Sequence, residues 1–303
     1  MKYDCAIIGG GIAGLQAALQ LGRYMHRVVV IDAEGGRSVL ARRYGNVLGF
    51  PDGVSGPTLR ERGRRQAEGV GVEFVDGRVN GARKKGAEEF ELEVENGDQV
   101  LAKRVLISTG LLDRIPQSIK GLEEVLGTAV YVCPDCDGYE IRNTKSVILG
   151  AGNAGASLAC VLRHWTDDLT YINHEPEERP LSDSWRETCI KHGVRIIDGP
   201  IHQVHSEEEN RLTGIRLAGD QWVEAQKGFI AFGGNKAESD VAKMLGVERL
   251  ENGHIPVDGR TKETNVPHVW AAGDVAAHSQ LLTVAIGDGA QAAIWIHKSL
   301  QQP

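Results

Sequence analysis

The chain contains 303 residues, a length typical of about two domains and sufficient to bury a core without disulfide support. The 41 acidic side chains outnumber the 34 basic ones, and the net charge of -7 argues against nucleic acid as the main ligand, because phosphate binding requires a basic surface. The 38 glycines, about an eighth of the residues, form no collagen-like period or low-complexity tract. We therefore expect them at tight turns and at close approaches of the backbone.

The N-terminal segment MKYDCAIIGGG enters a strand-like run directly, without the basic region, apolar stretch and cleavage site of a secretory signal. No stretch approaches the ~20 consecutive apolar residues of a membrane span, so we expect a cytoplasmic protein without membrane contact. Five cysteines are too few for a disulfide scaffold. Cys5, Cys160 and Cys189 lie in apolar or helical contexts and are expected to be packing residues.

The first predicted elements form a strand, a glycine loop, a helix and a second strand that ends at Asp32. Glycines at this spacing permit a tight turn, close approach of a pyrophosphate and packing of the helix on the strand. Asp32 is placed to accept from a ribose hydroxyl. The sequence therefore predicts a dinucleotide site with contacts at Gly9, Gly11, Ile12, Ala13 and Gly14.

A basic helix is predicted over 59–65, after Pro57. Arg60 and Arg64 lie four residues apart, so one helix face is strongly basic. We expect this face to be solvated, and a docking surface for an acidic partner is the alternative.

Cys133 and Cys136 have a C-x-x-C spacing, which can close a small disulfide or support thiolate chemistry. A zinc site would need a second ligand pair, and the sequence offers neither a second C-x-x-C nor a nearby histidine pair. We therefore expect no metal, and redox chemistry is favoured over a structural disulfide.

A second glycine loop follows the strand 146–149, and a further strand over 169–172 completes the same pattern. Its predicted contacts are Gly150, Gly152, Asn153, Ala154 and Gly155. The next residues carry three acids before Arg179, whereas a ribose 2′-phosphate requires cationic donors. This charge disfavours NADPH. Glu175 is a candidate for the ribose diol of NADH, while a solvated acidic turn and a glycine turn without a ligand remain alternatives.

Two further strand ends carry small or polar residues, at 105–110 and at 264–274. A carboxylate after a glycine at a strand end can bind a polyhydroxyl chain, and the following helix can direct its positive N-terminus at a flavin. The candidates are Thr109, Gly110, Gly273, Asp274, Gln280 and Leu281.

The four segments GGGIAG, ISTG, GAGNAG and VWAAGDV, in this order, resemble the flavoproteins with two dinucleotide-binding domains. The resemblance covers nearly the whole chain. It implies an α/β protein with two nested Rossmann-like domains of three ββα layers. The expected FAD domain is discontinuous, over 1–115 and 247–303, and the expected NAD(P)-type domain over 116–246 carries the C-x-x-C pair.

The sequence CPDCDG resembles the C-x-x-C-D-G motif of the low-molecular-weight thioredoxin reductases. By this resemblance, Cys133 and Cys136 exchange electrons with FAD, and Asp137 is the general acid and base. The partner would be a thioredoxin-like protein or a small disulfide, and the assembly a homodimer. The family also implies rotation of the inserted domain, with hinges expected near 111–121 and 245–253.

This chain departs from the family pattern at two places that bear on the cofactors. The basic cluster for the NADPH 2′-phosphate is replaced by residues 173–175, Asn-His-Glu. The family's N-[FWY]-P-G reads Gly-Phe-Pro-Asp over 49–52, so Asn46 becomes the candidate flavin-contacting asparagine. The electron donor is therefore open between NADPH, NADH and ferredoxin.

Two rival functions follow from these departures. One is an oxygen-dependent dithiol oxidase, although such oxidases typically carry histidine after the second cysteine, where this chain has Asp137. The other is a flavin-bearing redox sensor that does not turn over.

Overall fold

The computed structural model describes residues 2–301, which form two compact units. Within these residues, unit 1 comprises 2–39, 55–112 and 236–301, and unit 2 comprises 40–54 and 113–235. The chain thus crosses between the units after residues 39, 54, 112 and 235, and the last two crossings enclose the longer part of unit 2. The crossovers expected from the sequence, after residues 115 and 246, lie three and eleven residues further along the chain.

Unit 1 is built on a seven-stranded sheet with helices beside it. The strands of this sheet are β1 (Lys2–Ile8), β2 (Val28–Asp32), β3 (Glu73–Asp76), β4 (Val79–Gly86), β5 (Glu89–Val94), β6 (Gln99–Ile107) and β17 (Val269–Ala271). Unit 1 also contains a two-stranded sheet of β7 (Leu111–Leu112) and β16 (Lys236–Ala237). Its helices are α1 (Ile12–Arg23), α2 (Gly56–Glu68), α7 (Asp240–Met244) and α8 (Leu282–Gln301).

The strand order in this sheet is β3-β2-β1-β6-β5-β4, and β17 pairs with β6. Strands β1, β2, β3, β6 and β17 run parallel, whereas β4 and β5 extend the sheet as an antiparallel hairpin. Alternate residues of β1 enter opposite cores, since successive strand residues face opposite sides. Cys5 and Ile7 pack with α1 and α8, while Ala6 and Ile8 pack with β5 and α7.

Helix α1 packs closely on α8 because both helices present small residues to each other. Ala13, Ala17 and Ala18 of α1 are buried. A Cβ on Gly289 of α8 would lie only 2.2 Å from the carbonyl oxygen of Ala13. Only glycine permits this approach, which brings the C-terminal helix against the first glycine loop.

Unit 2 is built on a five-stranded parallel sheet, a three-stranded antiparallel sheet and short helices. Its strands are β8 (Val130–Tyr131), β9 (Ser146–Gly150), β10 (Leu169–Asn173), β11 (Arg195–Asp198), β12 (Ile201–Glu207), β13 (Arg211–Leu217), β14 (Trp222–Glu224) and β15 (Lys227–Ala231). Its helices are α3 (Leu122–Val125), α4 (Pro134–Asp137), α5 (Gly152–Leu162) and α6 (Asp183–Lys191).

The parallel sheet has the order β11-β10-β9-β15-β8, and the antiparallel sheet has the order β12-β13-β14. Strand β9 is buried throughout and divides its side chains between two cores. Ile148 packs with α5 and α6, whereas Val147 and Leu149 pack with the antiparallel sheet. Unit 2 therefore consists of a parallel sheet between a helical layer and an antiparallel β layer. In unit 1 the antiparallel strands belong to the main sheet, and β5 packs on the side of β1 opposite α1 and α8. Over residues 2–301 no helix is long and apolar enough to cross a membrane.

Candidate functional site

The first glycine loop is held tightly against the end of β6. Gly9 has a φ of +105°, and a Cβ there would lie 2.4 Å from the carbonyl oxygen of Ser108. The Ser108 hydroxyl donates to the carbonyl oxygen of Gly9 at 2.9 Å. A Cβ on Gly14 would lie 2.0 Å from the same Gly9 oxygen. The first and third glycines are therefore required by packing of the loop itself.

The second glycine of this loop, Gly11, faces open space. A Cβ there would have only the Ser108 carbonyl oxygen near it, at 4.0 Å. Helix α1 begins after Gly11 without a side-chain cap and without an acid in its first turn, so its backbone N–H groups suit an anion. Asp32 stands beside the loop and accepts from the backbone N–H of Gly10 at 3.0 Å. These residues fit the pyrophosphate and ribose of FAD.

Arg60 contributes to this site although the sequence pattern did not connect it with Asp32. Its Nη2 donates to Oδ2 of Asp32 at 2.7 Å, and its Nη1 donates to the carbonyl oxygen of Gly35. Both side chains are largely buried, at 12% and 15% exposure. The predicted solvated face of α2 is therefore interrupted at Arg60, which fixes the orientation of the Asp32 carboxylate.

The C-terminal candidates lie in the same unit as the first glycine loop. Gly273 follows β17 with a φ of +78°, and a Cβ on it would lie 2.8 Å from Cβ of Ala13. Arg37 donates from Nη1 to Oε1 of Gln280 at 2.7 Å and lies 3.4 Å from Oδ2 of Asp274. Unit 1 thus brings together the segments that carry Ile12, Ala13, Gly273, Asp274, Gln280 and Leu281.

Three further predicted flavin contacts, Thr109, Gly110 and Asn46, lie outside this group. Thr109, after β6, donates from its hydroxyl to the carbonyl oxygen of Glu238, and Gly110 accepts from the backbone N–H of the same residue at 3.0 Å. Asn46 is exposed and belongs to the segment 40–54, which is part of unit 2.

The cysteine pair lies in unit 2 at the start of the short helix α4. Cys133 precedes the helix, and its Sγ accepts from the backbone N–H of Cys136 at 3.3 Å. Cys133 is buried and Cys136 is half-buried. The backbone N–H of Asp137 donates to the carbonyl oxygen of Cys133 at 3.0 Å. This turn therefore places both sulfur atoms and the Asp137 carboxyl on one compact segment.

Burial raises the pKa of the Asp137 carboxyl to about 7, and the negative charge of Glu140 contributes to the rise. The positive charge of Lys227 opposes the rise in that pKa. A carboxyl group with this pKa exchanges a proton readily near neutral pH.

Lys227 at the start of β15 was not singled out by any sequence motif. Its Nζ donates to the phenol oxygen of Tyr131 and to the carbonyl oxygen of Thr128, each at 2.9 Å. Burial lowers the pKa of Lys227, while the charges of Glu140 and Asp137 raise it. The cation is therefore held at a fixed position where it interacts with two acids, one of which, Asp137, directly follows Cys136 in the chain.

The second glycine loop differs from the first at its middle glycine. Gly152 has a φ of +54°, and a Cβ on it would lie 3.0 Å from the carbonyl oxygen of Arg179 and 3.3 Å from that of Pro180. Carbonyl oxygens carry partial negative charge, so they oppose a pyrophosphate at this place. In this arrangement the residues around Gly152 do not fit a bound dinucleotide.

The first and third glycines of the second loop are required by packing, as in the first loop, and the side chain of Asn153 is engaged within the protein. A Cβ on Gly150 would meet the carbonyl oxygen of Ala231 at 2.7 Å, and one on Gly155 would meet the Tyr171 ring at 2.3 Å. Asn153 accepts through Oδ1 from the backbone N–H of Ser182 at 3.0 Å. A Cβ on Gly233 would lie 3.3 Å from the Cβ of Ala154, so Ala154 lies against the backbone of Gly233.

Glu175 pairs with two arginines. Arg114 contacts both carboxylate oxygens, with Nη1 at 3.0 Å from Oε2 and Nη2 at 2.5 Å from Oε1, and Arg179 lies 3.6 Å away. The hydrogen bonds from Arg114 lower the pKa of Glu175. Both oxygens of Glu175 thus already accept from the protein, instead of being turned to a ribose diol or to solvent.

The described part of the chain, 2–301, contains no cluster of three or more histidine, cysteine or acidic side chains able to hold a metal ion.

Comparisons with known proteins extend over nearly the whole chain. The pattern of the pyridine nucleotide-disulphide oxidoreductase family matches residues 3–289. The thioredoxin reductase of Mycolicibacterium smegmatis is 28% identical over 302 residues, covering 96% of this chain and 94% of that protein. The thioredoxin reductase of Peptoclostridium acidaminophilum is 29% identical over 317 residues, covering 99% and 97%. The crystal structure of HlmI has a TM-score of 0.88 at 32% identity, covering 99% of this chain and 92% of that chain. The predicted fold class is thereby confirmed.

Proposed function

Because the chain belongs to the pyridine nucleotide-disulphide oxidoreductase family, we propose that Cys133 and Cys136 form its redox-active pair and that Asp137 transfers protons. The resemblance expected from the sequence is confirmed, and the chain is an FAD-dependent disulfide oxidoreductase similar to thioredoxin reductases. The specific assignment of the two cysteines and of Asp137 rests on the match of CPDCDG to the family motif.

The observation that supports this proposal best is the position and pKa of Asp137. Asp137 is the residue directly after Cys136 in the chain. The pKa of its carboxyl group, about 7, keeps that group partly protonated at neutral pH. Reduction of a disulfide releases a thiolate that needs a proton, and a nearby acid with this pKa can supply it. An ordinary exposed aspartate would be deprotonated almost completely at neutral pH.

The proposed reaction is a two-electron thiol–disulfide exchange. One thiolate of the Cys133–Cys136 pair attacks a sulfur of the external disulfide, forms a mixed disulfide and expels the first thiolate, which takes the proton of Asp137. The second cysteine gives its proton to the Asp137 carboxylate, attacks the mixed disulfide and expels the second thiolate of the substrate, which takes that proton. The cysteine pair ends oxidised, and the substrate ends as two thiols.

FAD, when bound, supplies a two-electron carrier that returns the cysteine pair to the dithiol form. Asp32 would hold its ribose, and the N-terminus of α1 would face its pyrophosphate. We propose the following contacts as well: Gly9, Gly11, Ile12, Ala13, Gly14, Asn46, Thr109, Gly110, Gly273, Asp274, Gln280 and Leu281.

We further propose a thioredoxin-like protein or a small disulfide as the substrate, following the names of the curated relatives. Reduced ferredoxin is the alternative donor to a nicotinamide nucleotide. A cytoplasmic homodimer is proposed from the family resemblance, and sedimentation velocity of the purified protein tests the assembly.

Rotation of the inserted unit is proposed to expose the cysteine pair to its substrate. Two of the four crossovers, those after residues 112 and 235, are tied together, since the side chain of Asn235 donates to Asp113 at 3.0 Å and accepts from the backbone N–H of Arg114 at 3.1 Å. If the unit rotates about these residues, the connections at 112–113 and 235–236 would move together, because these hydrogen bonds link them.

The test uses flavin reduced by light under anaerobic conditions, so that no natural donor is needed. Addition of oxidised thioredoxin should release two thiols per flavin in the wild-type protein. The Cys136→Ser variant should keep its FAD and its photoreduction but release no thiol. Cys160→Ser, which removes a thiol elsewhere in unit 2, is the control and should behave as the wild type. Normal thiol release by Cys136→Ser would refute the proposal.

A second candidate is an oxygen-dependent dithiol oxidase, which the carbonyl oxygens over Gly152 favour because such an enzyme needs no nicotinamide nucleotide. A small dithiol would lose two electrons and two protons to oxygen, giving a disulfide and hydrogen peroxide. Peroxide release from a dithiol in air, without nucleotide, would support this function over the reductase.

A further inference from the structure

The two glycine loops occupy equivalent positions in their units but offer different surroundings to a dinucleotide. Each lies between a parallel strand and the helix that follows it, and each has a backbone N–H that donates to the side chain at the end of the next strand. Gly10 donates to Asp32 at 3.0 Å, and Gly152 donates to Asn173 at 2.8 Å. A Cβ on Gly11 would have no atom closer than 4.0 Å, whereas a Cβ on Gly152 would lie within 3.3 Å of two carbonyl oxygens, those of Arg179 and Pro180.

Those oxygens belong to residues 174–182, which we name the cover segment. Its far end is fixed to the loop, because the backbone N–H of Ser182 donates to Oδ1 of Asn153 at 3.0 Å. Within it, the backbone N–H of Arg179 donates to the carbonyl oxygen of Glu175 at 2.9 Å. The segment therefore forms a closed turn over the second glycine loop.

Glu175 holds this turn to the rest of unit 2. Its carboxylate binds Arg114, which also donates to the carbonyl oxygen of Phe232 at 3.2 Å. Arg179 reaches the same Phe232 oxygen at 3.5 Å. Guanidinium groups are the donors that a ribose 2′-phosphate requires, and both of them here are engaged by Glu175.

Asn173, at the end of β10, offers no substitute for a ribose-binding acid. It is 1% exposed. Its Oδ1 accepts from Gly152 and, at 3.2 Å, from the Tyr171 hydroxyl, and its Nδ2 donates to Asp198 at 2.9 Å. The oxygen and the nitrogen of the Asn173 side-chain amide therefore both form hydrogen bonds to other residues of the protein.

We propose that Glu175 is a specificity-determining residue that excludes nicotinamide nucleotides, and NADPH above all, from the second glycine loop. The ion pair with Arg114 keeps the cover segment closed against either nucleotide. The negative charge of Glu175 acts additionally against a 2′-phosphate, because it neutralises the two arginines. This inference concerns the electron-donor side of the proposed function and leaves the exchange at the cysteine pair unchanged.

The test is calorimetric titration of the FAD-loaded protein with NADP⁺ and with NAD⁺, which measures binding without turnover. The wild-type protein should bind both only at about millimolar concentrations or above. Glu175→Gln should bind NADP⁺ at least tenfold more tightly, with a smaller gain for NAD⁺, because it opens the cover segment and also releases both arginines.

Arg114→Gln separates the two effects. It removes the same ion pair but leaves the negative charge of Glu175, so NAD⁺ binding should improve while NADP⁺ binding should not. Glu224→Gln removes an exposed ion pair with Lys145 elsewhere in unit 2 and is the matched control, expected to bind like the wild type.

Micromolar binding of NADP⁺ by the wild-type protein would overturn the inference, as would equal gains for the two nucleotides in Glu175→Gln or no gain at all. The light-driven reduction of thioredoxin uses no nucleotide. Its failure would count against the proposed function alone, so the two proposals are tested separately.

Discussion

Asp288, in α8, accepts the backbone N–H of Gly273 through Oδ2 at 3.2 Å and so fixes the turn that precedes Asp274. The side chain of Asp288 is 6% exposed and pairs with Lys262 at 2.9 Å and with His278. Burial alone would raise the pKa of Asp288, but His278, Lys262 and the Gly273 N–H outweigh it and lower the pKa overall. A buried charge network thus positions the Gly-Asp pair proposed for FAD.

Asp288→Asn should reduce the free energy of unfolding by about 3–5 kcal/mol, because it leaves the largely buried Lys262 without its charge partner. Urea unfolding followed by circular dichroism measures this change, and the flavin content after purification should fall as well. Asp240→Asn breaks an exposed i,i+4 pair with Lys236 and should cost only about 0.3–0.5 kcal/mol. Equal losses in the two variants would contradict the role assigned to Asp288.

The same network predicts two pH limits on stability. Because the folded-state pKa of Asp288 is lowered, its contribution is present above its unfolded pKa and is lost as pH falls through the folded value. The pKa of His278 is raised, mainly by its hydrogen bond to Asp288, so its contribution is present below its unfolded pKa and is lost as pH rises through the folded value. Asp288→Asn should remove both dependences, which urea midpoints across pH would reveal.

Asp137→Asn should slow thiol release from reduced enzyme by about 10²–10⁴-fold, the usual contribution of a positioned general acid. With a pKa of about 7, Asp137 keeps its proton below neutrality and loses it above, so the wild-type rate should fall as pH rises through 7. Stopped-flow measurement of thiol release from pH 5.5 to 8.5 tests both points. A variant that keeps the same pH dependence would exclude Asp137 as the titrating group.

Glu140 and Lys227 should shift this pH dependence in opposite directions. Glu140→Gln removes a negative charge that raises the pKa of Asp137, so the fall in rate should move to lower pH. Lys227→Met removes a positive charge that lowers this pKa, so the fall should move to higher pH. The same stopped-flow profiles measure the shifts. Shifts in the same direction, or none, would show that these charges do not act on Asp137.

The first glycine loop offers a matched pair of alanine variants. Gly14→Ala places a methyl group 2.0 Å from the Gly9 carbonyl oxygen, so it should destabilise the protein by at least about 1–3 kcal/mol. Gly11→Ala meets no atom closer than 4.0 Å and should leave the melting temperature of the apoprotein unchanged. It should nevertheless weaken FAD binding, because the methyl group occupies the space that a pyrophosphate needs.

Thermal unfolding of the apoproteins and fluorescence titration with FAD distinguish these effects. If Gly11→Ala binds FAD as tightly as the wild type, the open space at Gly11 is not the pyrophosphate site.

The sequence alone was sufficient for the features that depend on local backbone chemistry. The two strand-loop-helix units are predicted because glycine spacing and apolar runs act over a few residues. The C-x-x-C spacing of Cys133 and Cys136, and the acid that follows them, are likewise visible because the motif is continuous in the chain.

The tertiary structure decided what lies beside these motifs. Asp32 meets Arg60 across 28 residues, and Glu175 meets Arg114 across 61, so no local pattern could connect them. The three acids before Arg179 predicted an acidic loop that disfavours NADPH binding. Only the fold shows that one of them, Glu175, forms ion pairs with Arg114 and Arg179. Charge pairs between distant segments depend on strand order and register, which local sequence patterns do not determine. The chemistry of each loop was therefore predictable, while its surroundings were set by the fold.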